Sequence, residues 1–430
     1  RVPNSFTEQT TFGAGLALIK DGGNVGMSVS RFDSRCGVPA RPGAHHHHDE
    51  DPGHGEEHGE VPVSIHLKQT RVDLRSEVNL GGVFEKVRAR FGYADYAHTE
   101  FEGEEVGTIF SNKGFEGRLE LVQRERGGWR GASGAQYLHR DFSAVGAEAF
   151  LPPNDTHQVG LFTLQELQLG SFNLEGALRY EHTDVASRTA DIERNFHTLS
   201  AAAGASYDLA PGVKVGINLS RAERAPSAEE LLSNGPHIAT QAFEIGDPDL
   251  TTEKGWGGEI YARADAGPFE FSASLFATKF DDYIYEAATG EEQDELPVFR
   301  YFQSDATYWG VEASASAELF EAGDFDFVAD GVADYVRGTV EDAGPVPRIP
   351  PLRLLAGLEA QSSHLDLRAE VEWTDDQDRV APFETPTDGF TLVNASAAWR
   401  PWGKSNPTSI VLSASNIFDV DARRHASFTK

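Results

Sequence analysis

Apolar and polar residues alternate along most of this chain with a period of two. Phe172, Leu174, Leu178 and Tyr180 fall on one face of their segment, with Asn173, Glu175 and Arg179 on the other. Leu365, Leu367, Ala369, Val371 and Trp373 alternate in the same way with Asp366, Arg368, Glu370 and Glu372. Phe269, Phe271, Ala273 and Leu275 alternate with Glu270, Ser272 and Ser274, and Val213, Val215, Ile217 and Leu219 repeat the pattern. A helix would group its apolar residues every three or four positions, so these segments read as strands with one apolar and one polar face. Roughly eighteen such strands are expected. Helix is expected only in short pieces such as "SAEELLSN", where Ser227 can cap and Glu230 can close a capping box.

The connections alternate in length. Short turns are readable at 126–129, 169–171, 210–212, 265–268, 321–324 and 361–364. Between them lie longer polar segments near 31–62, 98–112, 141–157, 182–196, 222–252, 281–299, 338–350 and 374–388. Short turns at one end and long loops at the other describe an all-β, antiparallel transmembrane barrel with short periplasmic turns and long extracellular loops. Turning the Glu, Asp and Arg face to lipid would cost about 2–4 kcal/mol per basic residue near the midplane. The apolar face therefore meets lipid and the polar face lines a wet or plugged lumen. We read residues 1–430 as one outer-membrane β-barrel domain with a His- and acid-rich extracellular loop at 33–62.

Composition sharpens this picture. Asp plus Glu is 68 against 37 for Lys plus Arg, a formal net charge of -31. Such a balance excludes nucleic acid as a natural partner and suits cations. Cys36 is the single cysteine, so no internal disulfide is possible. No run of about 18 apolar residues is present, so no membrane-spanning helix is expected, which leaves a barrel untouched. No phosphate-binding loop, nucleophile elbow or HExxH is found, and no enzyme activity is expected.

The candidate chemistry lies in "GAHHHHDEDPGHGEEHGEVPVSIH", residues 43–66. His45, His46, His47, His48, Asp49, Glu50, His54, Glu57 and His58 supply imidazole and carboxylate ligands suited to Zn, with Cu and Ni close behind. Glycines at 43, 53, 55 and 59 let the tract turn freely, so it reads as an adaptable trap, with release as histidines protonate near their ordinary pKa of about 6.5. The bland alternative is a hydrated loop whose histidines are incidental. A second constellation comprises His237 with Glu244 and neighbouring acids, and His98 with Glu100, Glu102, Glu104 and Glu105. His237 reads equally as a ligand or as a loop histidine, and for His98 the loop reading is preferred. If both hairpins fold over the lumen, these groups converge on a tighter site. His139, His157, His182, His197, His364 and His425 carry no sequence cluster and read as isolated.

Several motifs carry a resemblance. The segment 220–264, with its "RAERAPSAEELL" turn and "GDPDLTTEK", resembles TonB-dependent outer-membrane receptors. "YFQSDATYWGVEASASAEL" and "LSASNIFDVDARRH" are similar to two later motifs of that family, through Ala306, Gly310, Val311, Glu312, Asn416, Phe418 and Asp419. The "GVP"-initiated His- and acid-rich loop and residues 96–121 resemble the subgroup linked to zinc uptake. The resemblance implies a 22-stranded family barrel, incomplete here, whose plug domain and energy-coupling box are not visible. It further implies Zn2+ as the transported ligand, outer-membrane lipid as surroundings, and an inner-membrane TonB energy-coupling complex as partner through the plug. On this reading the chain is a portion of a longer receptor, without the plug, the first few strands and the last strand or so. Nickel, cobalt, copper, a siderophore or haem are alternative cargoes, and a passive porin or adhesin is the alternative class.

Overall fold

The computed structural model describes residues 3–39, 62–146, 149–237, 240, 242–382 and 384–427. The wall begins with β1 (Thr7–Lys20), β2 (Gly23–Gly37), β3 (Val63–Asn79), β4 (Phe84–Glu102) and β5 (Glu105–Gln123). It continues through β6 (Trp129–Gly146), β7 (Asn154–Leu169), β8 (Phe172–Ser187), β9 (Ile192–Ala210) and β10 (Val213–Arg224). A loop excursion follows, holding α1 (Ala228–Leu232), β11 (Asn234–His237) and β12 (Ala242–Ile245). The wall resumes with β13 (Glu253–Ala266), β14 (Phe269–Gln293), β15 (Leu296–Ala322) and β16 (Phe325–Val340). After the two-residue β17 (Gly344–Pro345) come β18 (Arg353–Gln361), β19 (Leu365–Thr374), β20 (Phe390–Trp399) and β21 (Ile410–Ala414).

Strands β1 to β10, β13 to β16 and β18 to β21, eighteen in all, pair antiparallel in chain order as one sheet. No pairing joins β1 to β21 among the described residues, so the sheet is an open arc. The short turns fall at one end, as their glycines require. At Gly212 φ is +77°, and an added Cβ would lie 1.8 Å from the Asp265 carbonyl oxygen, so only glycine fits there.

Facing follows strand parity. Arg71–Asp73 (2.8 Å), Arg118–Glu120 (2.6 Å) and Arg368–Asp330 (2.5 Å) bond along and between strands on the polar, inner face. Leu161, Leu219, Ile260 and Leu275 stand exposed on the opposite face. Apolar exposure repeated on strand after strand marks a surface that meets lipid.

Three segments expected as loops are largely strand. Residues 98–112 and 281–299 are hairpin extensions of β4–β5 and β14–β15, and 182–196 is mostly the β8–β9 hairpin. β14 and β15 reach 25 and 27 residues, whereas a tilted strand needs about 9–11 to cross a bilayer. Above the membrane no apolar outer face is required, so the alternation that betrays a strand fades while the pairing continues.

Candidate metal centre in the loop layer

The β10–β13 excursion is built from its ends inward. Arg224 closes β10 and donates to both carboxylate oxygens of Glu230 (2.8 and 2.9 Å) and of Glu253 (3.0 and 3.0 Å). Burial alone would lower the Arg224 pKa, but the bonds to these two carboxylates outweigh it and hold the guanidinium above its ordinary value. Ser227 then caps α1. Its hydroxyl accepts from the Glu230 N–H at 3.2 Å, and the Glu230 carboxylate accepts from the Ser227 N–H at 2.7 Å, the expected capping box.

The cap aims Leu231 and Leu232 into an apolar cluster with Phe110, Phe142, Phe150, Val185, Phe196, Leu250 and Ile284. Phe110, Phe142, Val185 and Phe196 share strand parity with the inner-face polar residues of β5, β6, β8 and β9. The layer therefore packs inside the upper rim, over the lumen. A buried leucine contributes about 1.5–3 kcal/mol, so two of them hold the layer down firmly. Arg140 of β6 adds a bond to Glu229 at 2.6 Å. Burial would raise the Glu229 carboxyl, but the Arg140 bond prevails and keeps it below the usual range.

Within this layer His237 and Glu244 face each other across the β11–β12 hairpin. His237 Nδ1 lies 2.8 Å from Glu244 Oε1, which also accepts from the Thr240 hydroxyl at 2.8 Å. Glu244 is only 6% exposed. Phe150 stacks on the His237 ring at 4.1 Å between centroids. Glu286 on β14 lies within electrostatic reach of this pair, although nothing in the sequence singled it out. Burial, then the charge of Glu244, push its carboxyl up to about 7, against the pull of His237 and Arg348. Glu286 is nonetheless exposed to solvent on one side, so the rise is smaller than full burial would give. A carboxyl whose ionisation the neighbouring Glu244 charge opposes marks a place where a cation relieves repulsion.

The Glu286 shift has a consequence for stability. Its carboxyl stays protonated toward neutrality in the folded rim but ionises near 4.5 when unfolded. The unfolded chain thus sheds its proton first, and rim stability falls as pH rises from about 4.5 toward 7. Glu286→Gln should flatten this dependence, as read by limited proteolysis of the metal-free receptor across that range.

His98 does not join His237. On the inner side of β4 it takes its own partners, with Tyr96 Oη 2.9 Å from Nδ1 and Glu100 Oε1 3.6 Å from Nε2. It stacks on Phe110 at 4.4 Å, Phe110 lies 6.4 Å from Phe150, and Phe150 covers His237. Two phenyl rings therefore stand between the imidazoles, and the expected convergence on a single ligand shell is not formed. Glu102, Glu104 and Glu105 sit exposed at the hairpin tip. Asp247 and Asp249 shape the turn after β12, the Asp247 carboxylate accepting from the Asp249 N–H at 2.8 Å.

The tract residues His45, His46, His47, His48, Asp49, Glu50, His54, Glu57 and His58 lie outside the described residues. Its described flanks are pinned at the same rim. The Val38 N–H donates to the Val63 carbonyl at 3.0 Å, and the Gly103 N–H of the His98 hairpin donates to Pro62 at 3.0 Å. Four histidines expected to be isolated are not. His139 and His157 are register partners on β6 and β7, with Asp155 between their rings' Nε2 atoms. His182 and His197 are partners on β8 and β9. Sequence clustering cannot detect such pairs, because cross-strand register creates them.

Comparison with known proteins agrees with this architecture. A family model described as TonB dependent receptor-like, beta-barrel, matches residues 13–417. Among solved structures, the copper transporter OprC superposes with a TM-score of 0.79 at 17% identity, covering 97% of this chain and 69% of that one. The FrpB iron transporter from Neisseria meningitidis (F5-1 variant) gives 0.76 at 15% identity, covering 100% and 71%. The Serratia marcescens hemophore receptor HasR gives 0.71 at 14% identity, covering 95% and 68%. At these identities the likeness is one of fold.

Proposed function

The chain belongs to the TonB-dependent receptor-like β-barrel family, and from that premise we propose that it imports a divalent transition metal, zinc first, across the outer membrane. The observation that carries this reading is His237 seated on buried Glu244, in a layer packed inside the rim. Imidazole and carboxylate together suit a borderline divalent ion. Two protein ligands leave coordination positions open, which favours exchange over permanent storage.

The described flanks of the His- and acid-rich tract meet at the same rim, where the Val38 N–H bonds to the Val63 carbonyl, and ions gathered by the tract would enter there. From His237 and Glu244 the ion moves toward the lumen, which a plug would gate under an inner-membrane energy-coupling complex. A passive porin fits poorly, because an apolar cluster fills the space inside the rim.

Copper is the second reading, since the copper transporter OprC shares the fold. Copper(I) prefers thiolate and thioether, yet the chain has one Cys and one Met. Met27 stands exposed on the outer face of β2, away from the layer. Copper(II) would compete for the same nitrogen and oxygen donors as zinc. The hemophore receptor HasR and the FrpB iron transporter suggest haem or iron as other cargoes, and haem or a ferric chelate calls for aromatic and basic walls more than for paired acids.

The capture role has a direct test. Deleting residues 45–58 should lower zinc uptake several-fold at limiting metal and leave it unchanged when zinc is abundant, with normal barrel assembly. Equal uptake at limiting zinc would remove the tract from the mechanism.

A further inference from the structure

The outer face of the wall carries a second metal-ligand array that the import route does not use. Tyr93, Phe115, Tyr137 and Tyr180 lie on the lipid-side faces of β4, β5, β6 and β8, an aromatic girdle of the kind that marks a membrane interface. Two residues nearer the loop end, the same faces turn polar at Asp95, Lys113, His139 and His182. On the intervening β7 and on β9, His157 and His197 occupy that level above Val159 and Leu199. Four histidines thus cluster where headgroups begin.

Their geometry is specific. The His139 and His157 rings stack at 4.4 Å with 9° between planes. Asp155 sits between them, Oδ2 at 2.9 Å from His139 Nε2 and Oδ1 at 2.6 Å from His157 Nε2. These are the only three groups of His, Cys, Asp or Glu among the described residues whose ligand atoms all lie within 4.8 Å of one another. Tyr137 Oη, 2.8 Å from His157 Nδ1, fixes that ring from behind. The arrangement recurs on the next strand pair. Tyr180 Oη lies 2.8 Å from His197 Nδ1, His182 stacks on His197 at 4.5 Å, and Asp184 lies 3.1 Å from His182 Nε2. Register places Asp184 opposite His157, which links the two sets.

We propose that His139, Asp155 and His157 bind a borderline divalent ion such as Zn2+ on the barrel's exterior, at the headgroup level. Two imidazole nitrogens and one carboxylate oxygen are a transition-metal donor set, with positions left open outward. Each ring would bind the metal through Nε2 as the neutral tautomer with its single proton on Nδ1, any second proton passing to solvent. At His157 the Tyr137 oxygen would accept the Nδ1 proton, a partner of the kind that orients metal-bound histidines. Because the wall separates this site from the lumen, an ion here is not cargo in transit. It ties β6 to β7 just above the membrane.

Histidine modification by diethyl pyrocarbonate, read residue by residue by mass spectrometry, tests this on the full-length receptor in detergent. Zn2+ should lower labelling of His139 and His157 together by about fivefold or more, while Mg2+ should not, given its preference for oxygen ligands. His364, bonded to the Arg400 carbonyl at the short-turn end, serves as the unprotected reference. Asp155→Ala should raise the Zn2+ needed for protection by about tenfold or more. Transport through His237 and Glu244 should be unchanged in that variant, so this site and the import reading can fail separately. Equal labelling of His139 and His157 with and without Zn2+ would overturn the proposal, and so would protection that Asp155→Ala leaves intact.

Discussion

In cells carrying Glu244→Gln or His237→Ala, zinc uptake at limiting metal is expected to fall by about tenfold or more, more than deletion of the tract causes. Glu244 is buried and already holds two partners, His237 and Thr240, so the neutral amide keeps its shape while removing its charge. The lost quantity is cation affinity, not folding. His237→Ala removes the nitrogen donor and uncovers the face of Phe150, so its receptor level should be checked beside uptake. The tract, in contrast, offers many interchangeable ligands, and losing some of them costs capture rate more than selectivity. Damage from His237→Ala equal to or smaller than that from tract deletion would move the tight site elsewhere.

Arg224→Ala should release the loop layer. The guanidinium is the shared partner of Glu230 and Glu253, whose side chains are 14% and 10% exposed. Removing it leaves two nearly buried carboxylates facing each other. Breaking a buried pair costs about 3–5 kcal/mol, and the partial exposure of Arg224 lowers this to about 2–4 kcal/mol. Local opening by about 2 kcal/mol corresponds to about 30-fold faster amide exchange over residues 225–252, with the wall strands unchanged. Arg224→Lys should recover only part of the protection, since an ammonium cannot bond both carboxylates in the same planar fork. Exchange at wild-type rates in Arg224→Ala would show that the apolar cluster alone holds the layer.

The wall was legible because its physics is local. One residue type per face, repeated at period two, marks strands such as Phe172–Ser187 and Leu365–Thr374 without reference to any partner. The capping box at Ser227 and Glu230 was legible for the same reason, since both residues lie within one helical turn. The upper hairpins were less legible. Around Tyr283–Glu286 and Tyr301 neither face needs to be apolar, so strand and loop look alike in sequence.

The candidate site divides in the same way. His237 and Glu244 were within reach, since they are seven residues apart around a hairpin. Glu286 was not, because it arrives from another strand and its significance is electrostatic. The stacked histidines on β6 to β9 depend wholly on register, which a one-residue slip would undo.

Equilibrium titration of the full-length receptor shows whether a divalent transition metal binds at His237 and Glu244. Zn2+, Cu2+, Ni2+ and a ferric catecholate chelate should be compared in wild type and in the His237→Ala/Glu244→Gln double variant, both lacking residues 45–58 and carrying Asp155→Ala. A Zn2+ site is expected in the otherwise wild-type layer, weakened by about tenfold or more in the double variant, with no binding of the ferric chelate. Tight binding of the ferric chelate together with Zn2+ affinity indifferent to the double variant would contradict this expectation.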